Sequence, residues 1–313
     1  MSHNLFFVFC AYILDIIFGD PGWMWHPVRF IGRAIAWLER KLNRDKFNRV
    51  FTGALCLVLT VGLTVSCARL ILEFSKRIHP VFYSVCYILL IYFALSVKDL
   101  AVEVSKVKAE LENKNIAEAR KNLSLIVGRD TAALNEQEII RAGVETVAES
   151  TMDGIIAPLF YCFLGGPVWM WFYKAVNTLD STVGYTNARF IEFGRVSAKL
   201  DGIMNFVPAR ITSFLIGASC LLYRKNCFGA FKWGSMYFLR GPAFNSQITE
   251  AAMAGALGVR LGGRNYYNSV VCDRPHIGDN LRPLTITHLK ESINIAYICS
   301  GLFMIAGLLW RLP

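Results

Sequence analysis

Charge is scarce in this chain. Only 18% of its 313 residues are Asp, Glu, Lys or Arg, against 54% that are hydrophobic, too little polar surface for a water-soluble protein of this length. Histidine is scarcer still: there are five, with no two grouped as a cluster, and the nine cysteines show no CxxC and no His/Cys grouping at zinc spacing. These absences exclude a zinc site of the usual kinds and leave the cysteines, most of them inside apolar runs, as small core hydrophobes. No GxxxxGK followed by Ser or Thr occurs, so there is no Walker loop. Internal repeats, low-complexity segments and a linker-bounded soluble domain are absent as well.

Apolar length is what the chain has instead, with a mean hydropathy of +0.40. A bilayer crossing needs roughly 20 apolar residues, and residues 5–19, 50–72, 78–97 and 293–310 meet or approach that; 155–176 and 206–223 are weaker candidates. The pattern predicts a mostly α, polytopic helical membrane protein with four to six membrane segments. It is expected to form a single membrane-embedded domain over 1–313, with residues 98–154 as a cytoplasmic helical segment within it. MSHN carries no positive charge and Asp15 interrupts the first apolar run, so the N-terminus does not read as a cleavable signal peptide. Asp15 itself reads either as a buried, paired carboxylate or as a cavity residue.

The basic residues set the expected orientation. Arg29, Arg33, Arg40, Lys41, Arg44, Lys46 and Arg49 follow the first span, which places that connection and residues 98–154 on the cytoplasmic side of the membrane. The net charge is +10, but it is scattered or flanks membrane segments. It suits anionic membrane lipid and phosphorylated small molecules, with no nucleic acid as partner. Pro21, Gly22 and Pro27 predict a turn before an amphipathic basic helix carrying Trp37, expected to lie at the interface. Between residues 98 and 122, Glu and Lys/Arg recur at spacings of three and four, as on a solvated helix pair.

From Arg129 onward the charge gathers against apolar sequence. RAGVETVAESTMDG runs directly into IIAPLFY, and a helix would align Arg141, Glu145 and Glu149 on one stripe with Asp153 about one turn further. The segment 155–176 holds Pro158 and a central Gly165-Gly166-Pro167 that breaks a straight helix. Its halves predict a re-entrant hairpin that keeps residues 141–153 and 174–201 on one face of the membrane. Lys174, Asn177 and Asp180 then recur every three residues on the next helix. Acids (Asp130, Glu145, Glu149, Asp153, Asp180, Asp201) are interleaved with bases (Arg129, Arg141, Lys174, Arg210, Arg260, Arg264) and with Asn177, Asn187, Asn205 and Asn245. Such a mixture suits Mg²⁺ and a polyphosphate, or else an internal salt-bridge network. His26 beside Pro27 reads as a general base or as a structural histidine.

Taken together, several motifs resemble the integral-membrane adenosylcobinamide-phosphate synthases of cobalamin biosynthesis, over nearly the whole chain. They are DIIFGDP (15–21), HPVRFIG (26–32), GRDT (128–131), RAGVETVAESTMDGIIAPLFY (141–161) and KAVNTLDSTVGY (174–185). The stretch from Lys199 through Asp201 and Asn205 to PAR (208–210), then EAAMAGALGVRLGG (250–263) and RPHIGD (274–279), follow in the family's order. The resemblance implies an acid–amine ligase that uses ATP and Mg²⁺ to join adenosylcobyric acid, a corrinoid substrate, to aminopropanol phosphate or ethanolamine phosphate. It implies catalytic roles for Glu145, Glu149, Asp153, Lys174 and Asp180, with Mg²⁺ at Glu145 and Glu149. His26, Arg29, Arg129, Asp130, Arg141, Asn177, Tyr185, Arg210, Glu250 and Arg260 are the expected substrate and phosphate contacts. Gly255, Gly258, Gly262 and Gly263 are expected to admit the backbone close to a bulky ligand. The expected location is the inner cell membrane, multi-pass, with the site facing the cytoplasm. A transporter for a phosphorylated or anionic small molecule and a non-catalytic membrane sensor are the alternatives from other classes.

Overall fold

The structure is a computed structural model that describes residues 2–20, 26–44, 48–185, 187–267 and 270–311. In chain order it contains α1 (Ser2–Phe18), α2 (Pro27–Leu42), α3 (Arg49–Ile78), α4 (Pro80–Tyr92), α5 (Val97–Glu112), α6 (Ile116–Ser124) and α7 (Glu136–Thr151). A π-helical turn (Met152–Ile156) leads into α8 (Ala157–Val183), followed by α9 (Arg195–Leu222), α10 (Cys227–Phe238), α11 (Asn245–Leu257), β1 (Leu261–Tyr267), β2 (Val270–Ile277) and α12 (Thr287–Arg311). Among the described residues, five helical stretches are long and apolar enough to cross a membrane: Arg49–Ile78, Pro80–Glu112, Glu136–Val183, Arg195–Leu222 and Thr287–Trp310. Of the weaker sequence candidates, 155–176 falls inside one of these stretches and 206–223 overlaps another in all but its last residue, whereas α1, at 17 residues, is shorter than these stretches.

Two compact units are interleaved in sequence. The first comprises Met1–Ser96, Asp153–Phe206 and Ala306–Pro313, the second Val97–Met152 and Val207–Ile305. Because the backbone passes between them at four places, no linker marks a boundary.

In the first unit, Asn48 caps α3 by accepting from the Phe51 N–H, and Phe51, Leu55, Val58, Leu63, Leu70 and Phe74 stay exposed along that helix. An apolar outer face of this kind suits lipid and not water. The amphipathic helix α2 forms as expected, with Pro27 at its first turn. Its apolar stripe of Ile31, Ile35, Leu38 and Leu42 packs into a core with Cys56, Leu57, Val176 and Phe193. Buried Glu39 locks the helix there, accepting from Arg189 Nε and Nη2 at 3.0 and 2.8 Å. The turn predicted at Pro21 and Gly22 lies outside the described residues, as does Lys46.

The expected hairpin is present. At Gly165 (φ −145°, ψ 19°) and Gly166 (φ 74°, ψ −165°) the backbone leaves helical geometry, and Pro167 cannot resume the amide ladder. Tyr161 and Tyr173 stack with ring centroids 5.1 Å apart, whereas twelve residues of straight helix would separate them by about 18 Å. Tyr173 Oη also reaches the carbonyl and Oδ1 of Asp153, both at 3.4 Å. The two limbs therefore run antiparallel, and the stretch Glu136–Val183 is not one straight rod.

In the second unit, α5 buries Leu100, Ala101, Val104, Val107 and Leu111 at helical spacing. Glu103–Lys106, Lys108–Glu112 and Glu118–Lys121 pair on the outside of α5 and α6, the solvated pattern that the sequence predicted. Asn135 and Glu138 form a reciprocal capping box at the start of α7. α10 and α11 touch backbone to backbone: a Cβ on Gly255 would stand 2.1 Å from the Gly229 carbonyl oxygen. Gly258 closes α11 in the left-handed conformation at φ 66°. The antiparallel pairing of β1 with β2, bulged between Leu261 and Gly263, is not anticipated by the helical reading. Its signals were the β-branched and aromatic runs on either side of residues 268–269.

Candidate active site

The second unit builds a charged cluster on one face of α7. Arg129 donates to Glu145 Oε2 at 2.5 Å and to Asn265 Oδ1 at 2.9 Å. Glu145 Oε1 accepts from the Gly262 N–H at 2.8 Å. Arg141 donates to the Gly262 carbonyl, to Arg264 O at 2.9 Å and to Asn265 Oδ1 at 3.0 Å. Arg141, Glu145 and Asn265 are all buried, so each guanidinium and carboxylate must be satisfied internally. The helical stripe predicted from Arg141 to Glu149 exists, and its first two residues clamp the start of β1 onto α7.

Glu149 is the exposed member of the stripe and accepts from Ser246 Oγ at 3.0 Å. Beside it on α11, Glu250 is buried, and Arg274 Nη1 approaches its Oε1 to 3.8 Å. Burial first, then the charges of Glu145 and Glu149, hold the Glu250 carboxyl well above its ordinary range, with Arg274 and Arg129 opposing them. Acids set beside arginines in this way are suited to proton transfer and to facing an anion. The remaining predicted contacts of this unit are placed differently. Arg210 donates to Phe238 O at 3.1 Å, to Arg240 O at 2.5 Å and to Asn245 Oδ1 at 3.2 Å, tying off the end of α10. Asp130 is exposed, its N–H bonded to Tyr266 O, and Arg260 is exposed just before β1.

A separate polar cluster lies within the first unit. Tyr173 donates to Asn205 Oδ1 at 2.9 Å; Asn205 and Asn177 donate to the two Asp201 oxygens at 2.9 and 3.2 Å. Lys174 stands in the field of Asp153, Asp20 and Asp15, and His26 Nε2 lies 2.9 Å from Asp20 Oδ2. Asp180 sits beside Gly184, where a Cβ would meet Asp180 Oδ1 at 2.0 Å. Arg29 and Tyr185 are on exposed surface. Asp153, Lys174, Asn177, Asp180 and His26 thus belong to this unit, and Glu145, Glu149, Arg129, Arg141 and Glu250 to the other.

Sequence reasoning passed over Asn265, which serves two arginines, and Tyr173, hidden in the run WMWFY. Asn265 gave no signal, because its partners are more than 120 residues away. A Mg²⁺ ligand role fits Glu145 poorly, since both of its oxygens are engaged by Arg129 and a backbone N–H. Among the described residues, no group of three or more His, Cys, Asp or Glu is arranged to hold a metal.

Fold and clusters together define a polytopic helical membrane protein that carries charged, hydrogen-bonded sites on apolar helices. The chain belongs to the CobD/Cbib protein family, whose profile matches residues 8–296. It is 42% identical over 310 residues to the cobalamin biosynthesis protein CobD of Clostridium perfringens, covering 97% of each chain. It is 42% identical to the CobD protein of Geobacter metallireducens (93% of this chain, 91% of the relative) and 41% identical to the cobalamin biosynthesis protein CbiB of Salmonella typhi (93% and 92%). No solved structure matches.

Proposed function

We propose that the chain is an enzyme of cobalamin biosynthesis, an acid–amine ligase that joins adenosylcobyric acid to aminopropanol phosphate or ethanolamine phosphate with ATP. Family membership and the names of relatives that match almost end to end support the pathway. The observation that carries the reaction class is the exposed Glu149 beside buried Glu250, at the edge of the Arg129–Glu145–Asn265–Arg141 frame.

A carboxylate is a poor electrophile, so its oxygen must first carry a phosphoryl or adenylyl group, which departs with that oxygen once the amine has attacked the acyl carbon. Catalysis then consists mainly of positioning and charge neutralisation. In this reading Glu149 takes the proton that the ammonium loses as nitrogen bonds to the acyl carbon, and Glu250 modulates its charge. Glu145 holds Arg129 and β1 in place. Mg²⁺ would supply charge neutralisation on a bound nucleotide, a role that needs few protein ligands, of which Glu149 is the carboxylate left accessible here. In this reading the reaction faces the cytoplasm at the inner membrane.

Purified protein incubated with adenosylcobyric acid, aminopropanol phosphate and Mg-ATP should yield the amide, detected by mass. Uptake of an anionic substrate into sealed vesicles with no covalent change would instead establish a carrier. Glu149→Gln should lower turnover about 100-fold or more, the usual contribution of a general base, while leaving thermal unfolding unchanged. Near-normal turnover in that variant would remove Glu149 from the mechanism.

A further inference from the structure

Arg141 is 8% exposed, yet it donates only to neutral acceptors: two carbonyls and the Asn265 side chain. Among the described residues no carboxylate pairs with it, since Glu145, one turn along, is taken by Arg129. A buried cation balanced by dipoles alone is costly unless a counter-ion completes it. Arg141 lines a cavity of about 250 Å³ in the second unit, whose wall also carries the cations Arg260 and Arg264 and the His276 imidazole. The acid lining it, Glu138, is committed to the capping box of α7. Arg264 pairs with Asp273 at 3.0 Å, but both side chains are more than 60% exposed, so the pair does little to neutralise the wall.

Backbone geometry keeps the space open. Gly263 has φ 91°, and a Cβ there would stand 2.8 Å from His276 Cε1 and 3.3 Å from Arg141 Nη1, inside the cradle. The first turn of α7 contributes Gln137 and Glu138 to the lining, so the positive end of a 16-residue helix adds to the field. An adjoining cavity of about 400 Å³ shares Gln137, Arg260 and Leu284 and adds Arg282. The set differs from the Glu149–Glu250 rim. It is rich in cations and lacks a free acid.

We propose that this cavity is a binding site for a phosphate group of a small molecule, held by Arg141, Arg260, Arg264 and His276. Its chemistry stands by itself; only the origin of the phosphate, the nucleotide or the aminoalkyl phosphate, rests on the ligase reading above. The test is equilibrium binding of pyrophosphate, ADP and ethanolamine phosphate to the full-length protein in detergent, with adenosine and ethanolamine as unphosphorylated controls. Arg260→Ala, at an exposed position, should weaken pyrophosphate at least tenfold with unchanged thermal unfolding; Gly263→Ala should also weaken it by filling the cradle, with a lower unfolding temperature because φ 91° strains any residue that has a Cβ. Whichever of ADP and ethanolamine phosphate weakens in parallel identifies the source.

Equal pyrophosphate affinity in wild type and Arg260→Ala would overturn the site. So would an equal loss in Lys106→Ala, a distant exposed lysine, because the binding would then be diffuse charge attraction. Pyrophosphate binding that depends on Arg260, in a chain that forms no amide, would uphold the cavity and refute the ligase. Amide formation by Arg260→Ala with unchanged KM for both ATP and amine phosphate would uphold the ligase and refute the cavity.

Discussion

Glu145, Glu149 and Glu250 are chemically alike, and their surroundings give them different work. Glu145 is fully bonded and buried, Glu149 is exposed with Ser246 as donor, and Glu250 is buried among like charges. The elevated Glu250 pKa makes a stability prediction. A carboxyl whose folded pKa lies above its unfolded value of about 4.5 holds its proton more tightly when folded. Its contribution is therefore complete below that value and disappears as pH rises through the folded pKa. Thermal unfolding of wild type and Glu250→Gln should accordingly diverge with pH. The variant should gain relative stability as pH is raised from 5 to 8, whereas a constant difference across that range would show that Glu250 is ionised in the folded protein.

At the scale of elements, the hairpin break and the β1–β2 pair position most of the unusual contacts. Gly166, at φ 74° and ψ −165°, occupies a region that is essentially glycine-only, and a Cβ there would lie 3.2 Å from Tyr87 Oη. Gly166→Ala should cost about 1–3 kcal/mol and lower the unfolding temperature. Gly32→Ala, where nothing lies within 4 Å of the added Cβ, should be neutral or slightly stabilising. Equal unfolding temperatures for the two variants would mean that the reversal relaxes without strain. The β pair acts differently: through Gly262 and Asn265 it supplies acceptors and a donor to α7. Two of the four glycines expected to approach a ligand, Gly255 and Gly258, instead allow helix contact and end a helix.

For the whole molecule, lipid exposure and charge placement give an orientation that can be checked. In a background with the exposed Cys67 and Cys272 replaced by Ser, single Lys41→Cys and Glu112→Cys variants should be labelled only from the cytoplasmic side by an impermeant thiol reagent. Labelling of either from the outside would reverse the reading from basic residues. The spans, the solvated pair α5–α6, the hairpin break and the Arg141–Glu145–Glu149 stripe were legible because each depends on residues close in sequence: apolar length, spacing of three and four, and Gly-Gly-Pro. The sequence by itself thus determined that this is a helical membrane protein with charge gathered on α7 and on the second limb of α8. Only the tertiary structure decided which charges are spent: Arg129 with Glu145, Asn265 between two arginines, Asp201 between Asn177 and Asn205, and Arg141 left without an acid among the described residues. Pairing of charges depends on distances between segments far apart in the chain, and local periodicity carries no record of those.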